Sequence, residues 1–142
     1  MRIAVLGAGS VGCLIAAKLV QAGHEVLVHA RGDHGAILAI SGLKVSGIWD
    51  FEIGPNQWTV SLDEAGIHPS MEKSFDQSII TCKAKDTEKL SQIAALITDG
   101  PVLSLQNGLG NLEILSSFVF ENSAVGVTTN AVKRIAPGQI EW

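Results

Sequence analysis

Three glycines near the amino end, in Gly7-Ala8-Gly9-Ser10-Val11-Gly12, fall at the spacing G-x-G-x-x-G. At that spacing glycine serves the backbone. The first allows a sharp turn, the second lets the main chain approach a ligand, and the third lets a helix lie close to a strand. N–H groups at a helix start lack intrahelical acceptors and sit at the positive end of the helix dipole, so such a turn suits phosphate oxygens. The spacing alone is a weak signal, because glycine-rich turns occur in many α/β proteins. Context strengthens it: MRIAVL before the glycines reads as an apolar strand, and helical periodicity follows them. Gly7, Ala8, Gly9, Ser10, Val11 and Gly12 are therefore the candidate pyrophosphate cradle of a dinucleotide.

The second candidate is a charge. Dinucleotide-binding units commonly place Asp or Glu about 20 residues beyond the glycines, where it accepts hydrogen bonds from the adenosine ribose. Here the stretch VLVHARGDHG puts His29, Ala30, Arg31 and Gly32 at that strand end, with no acid until Asp33. Arg31 offers a planar, permanently charged fork that fits phosphate oxygens, whereas a carboxylate would repel a 2′-phosphate. This predicts NADP(H) as the cofactor. The alternative is Asp33 on the ribose with Arg31 in solvent.

Other chemistry is sparse. His24, His29, His34 and His68 are scattered over predicted ends and loops, without carboxylates at triad or ligand spacing, which predicts surface or structural roles. Cys13 and Cys82 each sit in an apolar stretch and read as buried, reduced thiols. No metal site and no catalytic residue is assigned. The net charge of −4 and pI near 5.5 argue against a nucleic-acid or acidic-membrane binder. No run reaches the ~18 apolar residues of a membrane span, and glycine interrupts the apolar amino-terminal run too early for a signal peptide. These readings place the chain in the cytoplasm. Of the 142 residues, 46% are hydrophobic and 17% charged; the mean hydropathy of +0.31 hints at a surface normally covered by another domain or subunit.

The elements that must position these groups follow from periodicity. Arg2–Leu6 reads as a buried strand, 10–21 as a helix ended by Gly23, and Glu25–His29 as a second strand, which together form a compact βαβ unit. Asp33 is placed to cap a short helix through Ile40. LKVSG and WDFEIGPNQWTVSL read as short strands or a meander at the sheet edge, with Trp49, Phe51 and Trp58 as packing residues. Strands are then predicted over 77–82, 102–105 and 124–128. Between them lie a helix capped by Asp86 with Leu90, Ile93, Ala94 and Ile97 inward, and one carrying Leu109, Leu112, Leu115 and Val119 in the core. Gly138–Trp142 begins a further strand. The predicted class is α/β, a Rossmann-type doubly wound, mostly parallel sheet with helices on both faces.

The ordered segments MRIAVLGAGSVG, HARGDH, TCKAKDT, SLQNGLGN and VGVTTNAVKRIAPGQI resemble the N-terminal NADP-binding domain of the ketopantoate reductase (2-dehydropantoate 2-reductase) family, over nearly the whole chain. Members reduce 2-dehydropantoate to pantoate with NADPH, on the route to pantothenate and coenzyme A. The resemblance implies that the glycine loop holds the pyrophosphate and Arg31 the 2′-phosphate. It implies further that Lys83 contacts cofactor, that Asn107 lies beside nicotinamide and substrate, and that Ala131 lines the cofactor. Lys83 also reads as an ordinary solvated lysine and Asn107-Gly108 as a simple turn. In the family a C-terminal helical domain supplies the general-acid lysine and the substrate contacts. Residues 1–142 are therefore read as the dinucleotide-binding domain alone, with that helical domain absent, binding NADP(H) without appreciable turnover.

Two other functions compete with that one: a stand-alone nucleotide-binding module for sensing or assembly, and a related NADP-dependent reductase of another 2-oxo acid. An exposed face near Ile135, Ile140 and Trp142 predicts a tendency to form a homodimer.

Overall fold

The structure is a computed structural model and describes residues 1–62 and 68–142. Six parallel strands form the main sheet: β1 (Arg2–Leu6), β2 (Glu25–Ala30), β5 (Thr59–Leu62), β6 (Gln77–Ile80), β7 (Val102–Ser104) and β8 (Ser123–Val125). Their spatial order is β5-β2-β1-β6-β7-β8. The chain builds outward from β1 through β2 to β5, returns to the other side of β1 at β6, and builds outward again. This is the doubly wound order predicted from sequence, and it opens a crevice at the carboxyl ends of β1 and β6.

Alternation along the strands assigns the two faces. Val5, Val26 and Val28 point into the core shared with α1 (Ser10–Gln21) and α2 (Gly32–Ile40). Ala4, Leu6 and Leu27 point the other way, into a core completed by Leu90, Ala94 and Ile97 of α3 (Thr87–Ile97) and Leu115 of α4 (Asn111–Val119). Helix α1 ends as its sequence requires. Gly23, at φ +86°, carries the left-handed turn, and the Gly23 and His24 N–H groups donate to Val20 and Leu19 carbonyls at 3.0 and 3.1 Å.

Residues 43–53 do not form an edge meander of the main sheet. β3 (Leu43–Ser46) and β4 (Phe51–Ile53) join β9 (Lys133–Ala136) and β10 (Gln139–Glu141) in a second sheet, ordered β4-β3-β10-β9. β10 runs parallel to β3 and antiparallel to β9, so the last predicted strand does not extend the main sheet. The reason is burial: Leu43, Val45, Ile53 and Ile140 cover the outer side of α1, which is thus packed between two sheets. Lys18 adds a polar clasp there, its Nζ 3.4 Å from the Trp49 ring centroid and 4.8 Å from that of Trp142, while Trp49 stacks on Phe51 at 4.7 Å.

Several sequence expectations need correction. Ile140 is fully buried and Trp142 half-buried, so they do not form an open face; Ile135 does remain exposed. Helix α4 begins at Asn111 because Gly108 and Gly110 adopt positive φ, and Leu109 is fully exposed rather than core. β6, β7 and β8 are shorter than predicted, which leaves Thr81 and Cys82 beyond the sheet edge. α2 forms as expected, but its cap position is Arg31 and Asp33 lies in the first turn. Among the described residues no helix is long and apolar enough to cross a membrane.

His29 and His34 are buried, and His34 ties three elements together. Its Nδ1 accepts the Gly138 N–H at 3.0 Å, so in the neutral ring the proton resides on Nε2, which faces Cys13 Sγ at 3.4 Å. Cys13 in turn donates to the Ala8 carbonyl at 3.7 Å. A turn of the second sheet is thereby linked through α2 and α1 to the glycine loop. Burial, then the positive charge of Arg134, holds His34 below its ordinary pKa of 6.5. The unfolded chain takes up this proton before the folded one does, so stability is lost as pH falls through about 6.5 and continues to fall toward the depressed folded value. Urea unfolding measured from pH 7.5 to 5 should show that loss, and His34→Gln, which keeps an acceptor for Gly138 but does not titrate, should reduce it. An equal acid loss in both proteins would assign it to another group.

Candidate functional site

The crevice begins where β1 runs into α1. Gly7 sits at φ +112°, and a Cβ there would lie 2.6 Å from the Cys82 nitrogen. A Cβ on Gly12 would lie 2.6 Å from Thr81 Oγ1 and would overlap the Gly7 carbonyl oxygen. That oxygen accepts the Thr81 hydroxyl at 2.7 Å, so the ends of β1 and β6 and the first turn of α1 meet where only glycine fits. Gly9 differs. It has an ordinary φ of −79° at the N-cap position, and nothing lies within 4 Å of where its Cβ would be. The space is open toward the crevice. The N–H groups of Gly7 and Ala8 donate to the His29 carbonyl, and that of Cys13 to the Gly9 carbonyl. The first amides of α1, at Ser10, Val11 and Gly12, have no acceptor inside the helix. Open space before unpaired amides at a helix start fits a pyrophosphate.

A cleft of about 300 Å3 extends from this loop. Gly7, Ala8 and Gly9 form one end, with His29, Ala30 and Arg31 from the end of β2 beside them. Thr81, Cys82 and Lys83 enter from the end of β6, followed by Lys85 and Asp86, then Lys89 from α3. Arg134 reaches in from β9. Five cationic side chains and one carboxylate thus border the cleft, on a chain whose net charge is −4. Positive charge concentrated in a concave site attracts anionic ligands.

Arg31 is not idle in solvent. Its guanidinium donates to both carboxylate oxygens of Asp86, at 3.0 and 3.3 Å. Asp86 does occupy the N-cap position of α3, yet its side chain makes no capping bond, because the bidentate ion pair holds the carboxylate instead. The Arg31 side chain is 57% exposed and that of Asp86 21%, so solvent screens the pair from the Arg31 side and its contribution is about 1 kcal/mol. A phosphate can therefore displace or share it.

The remaining sequence-predicted residues divide. Lys83 lines the cleft, exposed, at the start of a 3-10 turn over Ala84–Asp86. Asn107 and Ala131 do not border the cleft. Both are exposed, Asn107 just beyond β7 at the same carboxyl edge and Ala131 in the segment before β9. The loop carrying Asn107 rests on a buried polar network. Gln106 Nε2 donates to Thr87 Oγ1 at 2.8 Å and to the Cys82 carbonyl at 3.1 Å, and its Oε1 accepts the Ser104 hydroxyl at 3.0 Å. Thr87 donates to Asn111 Oδ1 at 3.1 Å, and Asn111 Nδ2 donates back to the carbonyls of Asn107 and Gly108. Sequence reasoning missed Gln106, Thr87 and Asn111, although two of them flank Asn107 in the QNGLGN segment. It also missed Arg134, which carried no local signal.

The thiols are poor nucleophiles here. Burial pushes Cys13 up to about 12, and burial followed by the Asp86 charge pushes Cys82 up to about 11, so both stay protonated at neutral pH. Among the described residues no three His, Cys, Asp or Glu side chains are grouped to hold a metal ion.

Known proteins resemble this chain in sequence and in fold. The 2-dehydropantoate 2-reductase of Pyrococcus abyssi is 34% identical over 144 residues, covering all of this chain and 44% of the relative. That of Archaeoglobus fulgidus is 36% identical over 128 residues, covering 90% of this chain and 39% of the relative. Among solved structures, D-mandelate dehydrogenase in complex with NADH and anilino(oxo)acetate superposes with a TM-score of 0.85 at 31% identity, over 99% of this chain and 45% of that one. The 2-dehydropantoate 2-reductase of Geobacter metallireducens superposes with a TM-score of 0.78 at 31% identity, over 99% and 46%. The chain spans less than half the length of each of these proteins. Residues 3–142 match the family described as "Ketopantoate reductase PanE/ApbA", and with the sheet order and the glycine loop in agreement, the chain belongs to the ketopantoate reductase family.

Proposed function

We propose that this chain is the NADP(H)-binding part of an oxidoreductase that reduces 2-dehydropantoate to pantoate, contributing the coenzyme half of the active site. The observation that carries the proposal is the cationic cleft running from an open glycine cradle to Arg31, on a protein of net negative charge. Gly7 to Gly12 receive the pyrophosphate, Arg31 the adenosine 2′-phosphate, and Lys83 the coenzyme from the β6 side. Asn107 and Ala131 serve the nicotinamide end, where the Asn107 amide can donate to a carbonyl oxygen. When bound, the reduced coenzyme supplies hydride to the carbonyl carbon. The proton donor and the grip on the substrate lie in the C-terminal domain that the family resemblance implies.

A second reading is favoured by two observations. Asp33 lies beside Arg31 along a neighbouring depression, and the D-mandelate dehydrogenase that superposes on this chain holds NADH. In that reading Asp33 takes the ribose hydroxyls and the coenzyme is NAD(H).

Calorimetric titration separates the two. The parent chain should bind NADPH more tightly than NADH. Arg31→Ala should weaken NADPH roughly 10- to 100-fold, the equivalent of about 1.5–3 kcal/mol for a charged hydrogen bond, with NADH changed little. A parent that prefers NADH would instead establish the Asp33 reading. Asp86→Asn, which frees the Arg31 fork and removes a nearby negative charge, should tighten NADPH by roughly 2- to 5-fold, as expected for release of an exposed ion pair. The glycines provide an independent check of the cradle. Gly9→Ala should fold normally yet lose both coenzymes together, whereas Gly12→Ala should lower the unfolding midpoint because its Cβ has no room. Full coenzyme affinity in Gly9→Ala would place the pyrophosphate elsewhere.

A further inference from the structure

Arg31 and Arg134 border the same two depressions. One is the main cleft at the glycine loop; the other lies along the start of α2 and β9, where Gly32, Asp33 and His34 meet Ile135, Ala136 and Pro137. The two guanidinium-bearing residues therefore stand at the boundary between them, one from the end of β2 and one from the second sheet. Nothing in the intervening sequence links them, and β9 reaches the cleft only because β10 pairs with β3 over α1.

The position of Arg134 is held from several directions. It is opposite Ile140 in the β9–β10 register, and Ile140 is fully buried beneath α1. The turn of the same hairpin is fixed to α2 by the Gly138 N–H on His34. Arg134 is itself exposed, at the border of the cleft, and its charge is felt at both His34 and Cys13 beside it.

The fork of Arg31 is engaged by Asp86, and Asp33 lies on the neighbouring depression, so among the described residues the one other guanidinium bordering both depressions is that of Arg134. A phosphate monoester brings close to two negative charges and three acceptor oxygens, more than one arginine already shared with a carboxylate can satisfy. Among the described residues Arg134 has no carboxylate partner, so its charge is available to a ligand.

We propose that Arg134 is the second guanidinium of the adenosine 2′-phosphate site, closing on the phosphate opposite Arg31 and setting the preference for NADP(H) over NAD(H). This rests on the NADP(H) reading above and adds to it a specificity-determining residue from the second sheet. Arg134 supplies charge that Asp86 does not neutralise, and Arg31 supplies the fork.

The test is titration of NADPH and NADH into the parent, Arg31→Ala, Arg134→Ala and Arg134→Lys, with unfolding midpoints for each. Arg134→Ala should weaken NADPH roughly 10- to 100-fold and change NADH less than about 3-fold, while Arg134→Lys, which keeps the charge, should recover part of the loss. Unchanged NADPH affinity in Arg134→Ala, with the loss confined to Arg31→Ala, would overturn the role of Arg134 and leave the NADP(H) reading standing. Equal losses of both coenzymes would also overturn it, by showing a structural effect on the hairpin. A parent that prefers NADH would remove the NADP(H) reading, and the proposal with it.

Discussion

The first turn of α1 lies against the ends of β1 and β6 with no room for a side chain at positions 7 or 12, and the rest of the site is arranged around that close approach. Because the helix begins so near the sheet, its unpaired amides face the crevice at the switch point between β1 and β6. The hydroxyl of Thr81 on the Gly7 carbonyl closes the contact from the β6 side. Gly9, with open space before it, is then the one glycine of the three whose missing side chain is not required by the packing.

That contact also accounts for the second sheet. A helix drawn tightly onto one sheet still has an outer surface, and on α1 that surface is apolar enough to need a cover. β3, β4 and β10 provide it through Leu43, Val45, Ile53 and Ile140. Covering α1 brings β9 and Arg134 to the cleft and fixes the hairpin turn on His34. Packing and charge are therefore coupled: the strands that bury the helix also deliver a cation to its amino end.

The electrostatics of the cleft are balanced rather than simply positive. Arg31 is held by Asp86 at the modest strength of a half-exposed ion pair, so its fork is kept in place yet remains exchangeable. On the far side, the network through Gln106, Thr87 and Asn111 spends no charge. It satisfies buried polar atoms and fixes the turn that presents Asn107 at the carboxyl edge of the sheet.

The local units were legible in the residues themselves. Apolar runs of strand length, helical spacing over 10–21 and 87–97, and the glycine pattern each depend on neighbours within a few positions, so the doubly wound class, the βαβ unit and the glycine turn between β1 and α1 could be read directly. Helix α4 was misplaced at its start because the positive φ of Gly108 and Gly110 depends on a loop braced by Asn111. What only the tertiary structure decided are the nonlocal pairings. These are β10 with β3, Arg31 with Asp86, Gly138 with His34, and Arg134 with the cleft. Periodicity states which face of an element is apolar but not which distant element will cover it, and a charged side chain carries no local mark of the partner that folding brings to it.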